Sequence, residues 1–65
     1  MVTVNGEEVS IEVDERYNGQ AEVNAITDQG AYVIASFNHA ADAEWFANKI
    51  KEEGREYKTK DYRII

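Results

Sequence analysis

The chain has neither cysteine nor proline. Without cysteine there is no disulfide framework and no thiolate zinc site, so a chain of 65 residues must hold together by packing alone. A domain this short buries only about 60% of its unfolded surface. Long apolar runs are missing too. Nothing approaches the ~18–20 residues of a membrane span, and Met1-Val2-Thr3-Val4 is too short for the apolar stretch of a signal peptide. We therefore expect one soluble, unprocessed, cytoplasmic domain, residues 1–65, with no membrane partner. Cations are scarce: through residue 48, Arg16 stands alone against nine carboxylates. A net charge of −6 argues against direct binding of DNA or RNA, which needs local cation density. It suits attraction to a basic surface on another protein.

Catalytic constellations are absent as well. His39 is the single histidine, and no second strong ligand lies at a helical spacing from it. Ser36 precedes it by three residues, with no acid or oxyanion loop to complete a triad. The carboxylate pairs Glu7-Glu8, Asp14-Glu15 and Glu52-Glu53 are adjacent in sequence and diverge on a strand or turn. The glycines are isolated, which leaves no phosphate-cradling loop. No enzyme, metal or cofactor is expected.

What is present reads as hairpins followed by a helix. Asn5-Gly6 separates Val2-x-Val4 from Val9-x-Ile11-x-Val13, a strong two-residue hairpin signal that sets Val2 opposite Val9. A two-residue loop at Asn18-Gly19 would mix apolar and polar residues on one face. A three-residue loop, Tyr17-Asn18-Gly19, pairs Val13 with Val23 and Ile11 with Ala25 instead. A third loop of the same kind, Asp28-Gln29-Gly30, pairs Ala25 with Val33, Val23 with Ala35 and Ala21 with Phe37. One sheet face then carries Val2, Val4, Val9, Ile11, Val13, Val23, Ala25, Val33, Ala35 and Phe37.

The cover for that face is an amphipathic helix from His39 to Glu53. Its apolar residues Ala43, Phe46, Ala47 and Ile50 fall at i, i+3, i+4 and i+7. Asn38 is the expected N-cap, and Gly54 the residue that ends the helix. A last strand comes within residues 55–65, with a break in its alternation near Lys60-Asp61. We expect it to run opposite to the helix and to pair antiparallel with the first strand. The expected fold is α+β: a ββββαβ chain whose antiparallel sheet has order 5-1-2-3-4, with the helix on one face.

Two apolar features fall outside this core. At ~100° per residue, Trp45 lies roughly 160° from the middle of the helical stripe. It sits among Asp42, Lys49 and Glu52, where a partner can reach it. The face of the sheet away from the helix carries Ile26, Tyr32 and Ile34, with Ile26 opposite Tyr32, as a second candidate patch. Trp45 is the preferred anchor, because an indole offers a large rigid contact with a polar handle. The other surface would serve self-association, as in a homodimer, or nothing. The tail from Arg55 to Arg63 interleaves cations with tyrosines, as single-strand binders do, but Glu56 and Asp61 dilute it. Charges that protect an edge strand explain the same residues.

Two resemblances bear on function. From Tyr32 to Ile65, Ala-Ser-Phe before a helix containing Ala43, Glu44 and Phe46, then Gly54 and a strand, resembles the second half of a SPOR repeat. That resemblance implies peptidoglycan binding. The whole chain, short, acidic and cysteine-free with a few strands and one helix, is similar to small phage-encoded inhibitors of host enzymes and defence complexes. This implies a stoichiometric binder that blocks a protein handling nucleic acid, with acidic groups in place of phosphates. A designed domain without function is a further alternative, although the displaced Trp45 and the broken last strand are not idealised choices. The leading expectation is an acidic protein-binding module.

Overall fold

A computed structural model describes residues 1–58 and shows a five-stranded sheet with one helix packed on it. β1 (Val2–Val4) and β2 (Glu7–Glu15) are joined by Asn5 and Gly6. Their φ values of 53° and 84° form the left-handed pair that matches a hairpin turn to strand twist. The register is the expected one, Val2 opposite Val9 and Val4 opposite Glu7.

β2 turns into β3 (Ala21–Thr27) through Tyr17-Asn18-Gly19. The Arg16 amide donates to the Gln20 carbonyl at 2.7 Å, and the Gly19 amide to the Arg16 carbonyl at 3.0 Å. Gly19, with φ 90°, closes the loop. The Asn18 side chain fixes it further, accepting from the Gln20 amide at 3.1 Å. Val13 lies opposite Val23 and Ile11 opposite Ala25, as the polarity of the face requires.

The third hairpin departs from expectation. β3 and β4 (Gly30–Phe37) meet through only Asp28 and Gln29, because Thr27 pairs directly with Gly30. The Thr27 hydroxyl explains the tighter loop: it accepts from the Gln29 amide at 3.1 Å and donates to the Gly30 carbonyl at 2.9 Å. The missing loop residue reappears further along as a bulge. Val23 pairs with Ala35 but Asn24 with Val33, which leaves Ile34 as the extra residue. Ala21–Phe37 and Val23–Ala35 therefore stand as expected. Ala25, however, faces Tyr32 rather than Val33, and Ile26 faces Ala31 rather than Tyr32.

α1 (Ala40–Glu53) buries Ala43, Ala47 and Ile50 against β2, β3 and β4. Phe46 is half-buried and rests on Phe37, ring centroids 5.4 Å apart. The N-cap is His39 and not Asn38: the His39 carbonyl accepts from the Asp42 and Ala43 amides, and no side chain caps the helix. Gly54 receives the last turn through its amide to the Ile50 carbonyl at 2.8 Å.

β5 (Arg55–Tyr57) corrects a second expectation. It lies beside β1 in the order β4-β3-β2-β1-β5, but runs parallel to it, with Thr3 level with Glu56. The sheet is therefore mixed. Gly54 alone separates helix and strand, too little chain to reverse direction, so β5 continues the way the helix leaves. The Arg55 amide reaches the Met1 carbonyl at 3.1 Å, and the Asn5 amide reaches the Tyr57 carbonyl at 2.7 Å. The expected break near Lys60-Asp61 lies outside the described residues.

Among the described residues, Val4, Val23 and Ile50 are the largest fully enclosed side chains, which concentrates stability in few contacts. Ile50→Ala should cost about 2–5 kcal/mol, enough to unfold much of so small a domain. Trp45→Ala should cost less than about 1 kcal/mol, since it empties no core site. Urea melts of the two variants check the difference.

Candidate functional site

The helical period that buries Ala43, Ala47 and Ile50 carries Trp45 to the other side of α1, where its side chain is 64% exposed. Asp42, Lys49 and Glu52 are exposed around it, as are Ala41 and Asn48. Lys49 is drawn toward the helix C-terminus by Glu53, one turn on, with Nζ 3.7 Å from its carboxylate. Both ends of that pair are half in water, so it holds the lysine only weakly. The indole thus stands in a setting of mixed charge.

The second expected patch is dispersed. The bulge at Ile34 changes the parity of β4, so Tyr32 pairs with Ala25, whose side chain is fully buried beneath the helix. Ile26, Tyr32 and Ile34 are each half-buried, and Tyr32 and Ile34 pack against the core. Among the described residues, the other large apolar side chains in the open are Met1 and Tyr17, the latter at the tip of the β2–β3 loop. Tyr17 borders an open depression of about 410 Å³ that Arg16, Asn18, Gln20, Glu22 and Phe37 also line.

The outer sheet face is acidic. The register places Glu8, Glu12 and Asp14 of β2, Glu22 of β3 and Glu56 of β5 on the side away from α1. Asp14 stands directly opposite Glu22, an arrangement that repels. Arg16 relieves it: its guanidinium donates to Glu22 at 2.6 Å and lies 3.8 Å from Asp14. The hydrogen bond to Glu22, then the charges of Glu22 and Asp14, raise the Arg16 pKa above its ordinary value. The one cation of residues 1–48 is therefore committed to two carboxylates of its own chain.

Asn24 carries a feature that its sequence context did not announce. It shares the outer face with its cross-strand neighbours Glu12 and Val33, yet is only 6% exposed, and its Oδ1 is buried without a hydrogen bond. An orphaned buried acceptor costs roughly 1–3 kcal/mol. Its register and polarity gave no sign of that burial. Among the described residues no group of three or more His, Asp or Glu side chains is arranged to hold a metal ion, and no helix is long and apolar enough to cross a membrane.

These contacts carry two expectations. Arg16→Gln should lower stability in low salt, with a loss that shrinks as salt screens the Asp14–Glu22 repulsion; an equal loss in high salt would point to packing instead. Asn24→Val should raise stability by about 1 kcal/mol, because it removes the orphan acceptor and suits a strand. Denaturant midpoints with unchanged slopes report both.

The sequence matches no protein-family model, and no curated protein or solved structure matches the chain.

Proposed function

We propose that the protein is a cytoplasmic, acidic protein-binding module that acts as a stoichiometric inhibitor of a complex handling nucleic acid, with Trp45 as its anchor. The exposure of Trp45 is the observation that carries this reading: the largest apolar side chain of a marginal domain is left in water while valines, isoleucines and alanines make up the core. Exposed tryptophans dominate interface energies far more often than their numbers suggest. Tyr32 and Ile34 of the second candidate patch pack against the core, which favours Trp45 as the apolar contact. Asp42, Lys49 and Glu52 form a charged rim around the indole, and the acidic sheet face adds to the long-range field that draws in a basic partner.

The partner this favours is a protein with a basic groove, the kind of surface that otherwise receives phosphates. No chemistry is assigned to the module, whose action is occupancy.

Capture from host lysate by the wild-type chain and by Trp45→Ala, with the captured proteins identified by mass spectrometry, tests the reading. We expect a basic nucleic-acid-handling protein, captured less as salt rises, and an affinity loss of at least about 2 kcal/mol for Trp45→Ala with the fold intact. Tyr32→Ala should leave binding almost unchanged. Tight binding to DNA or RNA at physiological salt, with no protein captured, would overturn the proposal.

A further inference from the structure

We propose that the Asn5-Gly6 turn is a site of spontaneous covalent modification, at which the Asn5 side chain is converted to aspartate and isoaspartate through a cyclic imide. The chain holds two Asn-Gly pairs, Asn5-Gly6 and Asn18-Gly19, and all four residues are exposed. Exposure therefore does not separate them. The backbone does.

The chemistry needs only water and the hydroxide in it. The Gly6 amide gives its proton to hydroxide, and its nitrogen lone pair forms a bond to Asn5 Cγ. The bond from Cγ to the side-chain nitrogen then breaks. That nitrogen leaves as ammonia, taking a proton from water and returning the hydroxide. Water opens the five-membered imide at either carbonyl, giving aspartate or its β-linked isomer. Glycine has no side chain to crowd the attacking nitrogen. Either product carries one more negative charge than the amide it replaces.

Ring closure brings Cβ and the following nitrogen to the same side of the Cα–C bond. For an L residue this requires ψ of about −120°, the value at the first central residue of a type II′ turn, where φ is about +60°. Asn5 already has φ 53°, the one positive φ among the described non-glycine residues. A flip of the Asn5–Gly6 peptide plane completes the geometry, turning the present type I′ pair into type II′ with the hairpin still closed. The flip takes Gly6 from φ 84° to a negative φ, and both are open to glycine. A Cβ on Gly6 would meet nothing within 4 Å, so there is room for the movement. Among the described residues the Gly6 amide, which is the attacking group, has no hydrogen-bond partner to lose. At the second pair the attacking group is occupied: the Gly19 amide donates to the Arg16 carbonyl at 3.0 Å. The Asn18 side chain is held as well. Its Oδ1 accepts from the Gln20 amide and its Nδ2 donates to Gln20 Oε1, both at 3.1 Å. Closing an imide there must break these bonds first, and Asn18 does not start from a positive φ.

Incubation of the full chain in mildly alkaline buffer, followed by ion exchange and peptide mapping by mass spectrometry, tests the site. Acidic species should accumulate that carry aspartate and isoaspartate at position 5. Conversion at Asn5 should run at least about ten times as fast as at Asn18, as expected where two or three hydrogen bonds must break before Asn18 can react. In urea, where both turns are lost, the two rates should converge. The Asn5→Asp protein keeps a pair that suits the same turn and should gain no further charge over the same interval. Conversion of Asn18 as fast as Asn5, an Asn5 that stays intact in the folded chain, or a rate difference that persists in urea would each overturn the proposal. So would acidic species that accumulate in Asn5→Asp at the wild-type rate.

Discussion

The contact between a stripe of small side chains on α1 and the middle of the sheet is the constraint on which the other features depend. Ala43 and Ala47, with Ile50 toward the end of the helix, are buried in one cluster with Val23 and Ala25, and the small size of the alanines lets α1 approach the sheet. With no disulfide, and no second helix among the described residues, this layer must be complete for the chain to fold. It also sets the path of the chain beyond the helix. The helix axis sends Gly54 to Met1, where a Cβ would come within 3.0 Å of the Met1 carbonyl oxygen, and φ of +79° already excludes most side chains. From there the chain can only run on beside β1, and a parallel β5 in a mixed sheet is the result.

The irregularity in β4 comes from two demands that cannot both be met by a regular strand. At one end the Thr27 hydroxyl draws the hairpin into a two-residue loop. At the other, Ala35 and Phe37 must face the helix so that Phe37 can meet Phe46. The two ends are out of step by one residue, and the extra residue at Ile34 absorbs the difference. A local hydrogen bond thereby decides which side of the sheet Tyr32 and Val33 occupy.

Much of this is legible in the sequence, and the rest is not for definite reasons. The first two registers come from turn residues that act locally and from the need to keep polar residues off one face, so sequence suffices. Trp45 can be placed outside the core because the helical period holds whatever the neighbouring elements do. The third hairpin is misread because Gly30 suggests a three-residue loop, while a threonine side chain can tighten a turn without leaving a pattern in the hydrophobic alternation. The N-cap moves by one residue because His39 supplies the extended backbone and the carbonyl, and no side-chain cap is formed. The direction of β5 escapes because a glycine after a helix suggests reversal, whereas reversal needs more than one residue. The burial of Asn24 escapes because a polar residue on the outer face of a strand reads as exposed.

The acidity of the sheet bears on function through what it does to stability. Like charges placed opposite each other weaken a strand pair, and an exposed guanidinium restores only part of that. Substituting a neutral residue at Asp14 or Glu22 would remove the conflict without touching the core. The chain instead keeps both carboxylates and commits its one early cation to them. Trp45 makes the same point on the opposite layer, where a polar residue would serve solubility better. Neither feature helps a small uncrosslinked domain to fold. Two departures from what stability favours, one electrostatic and one apolar, lie on opposite layers of the fold, and packing explains neither.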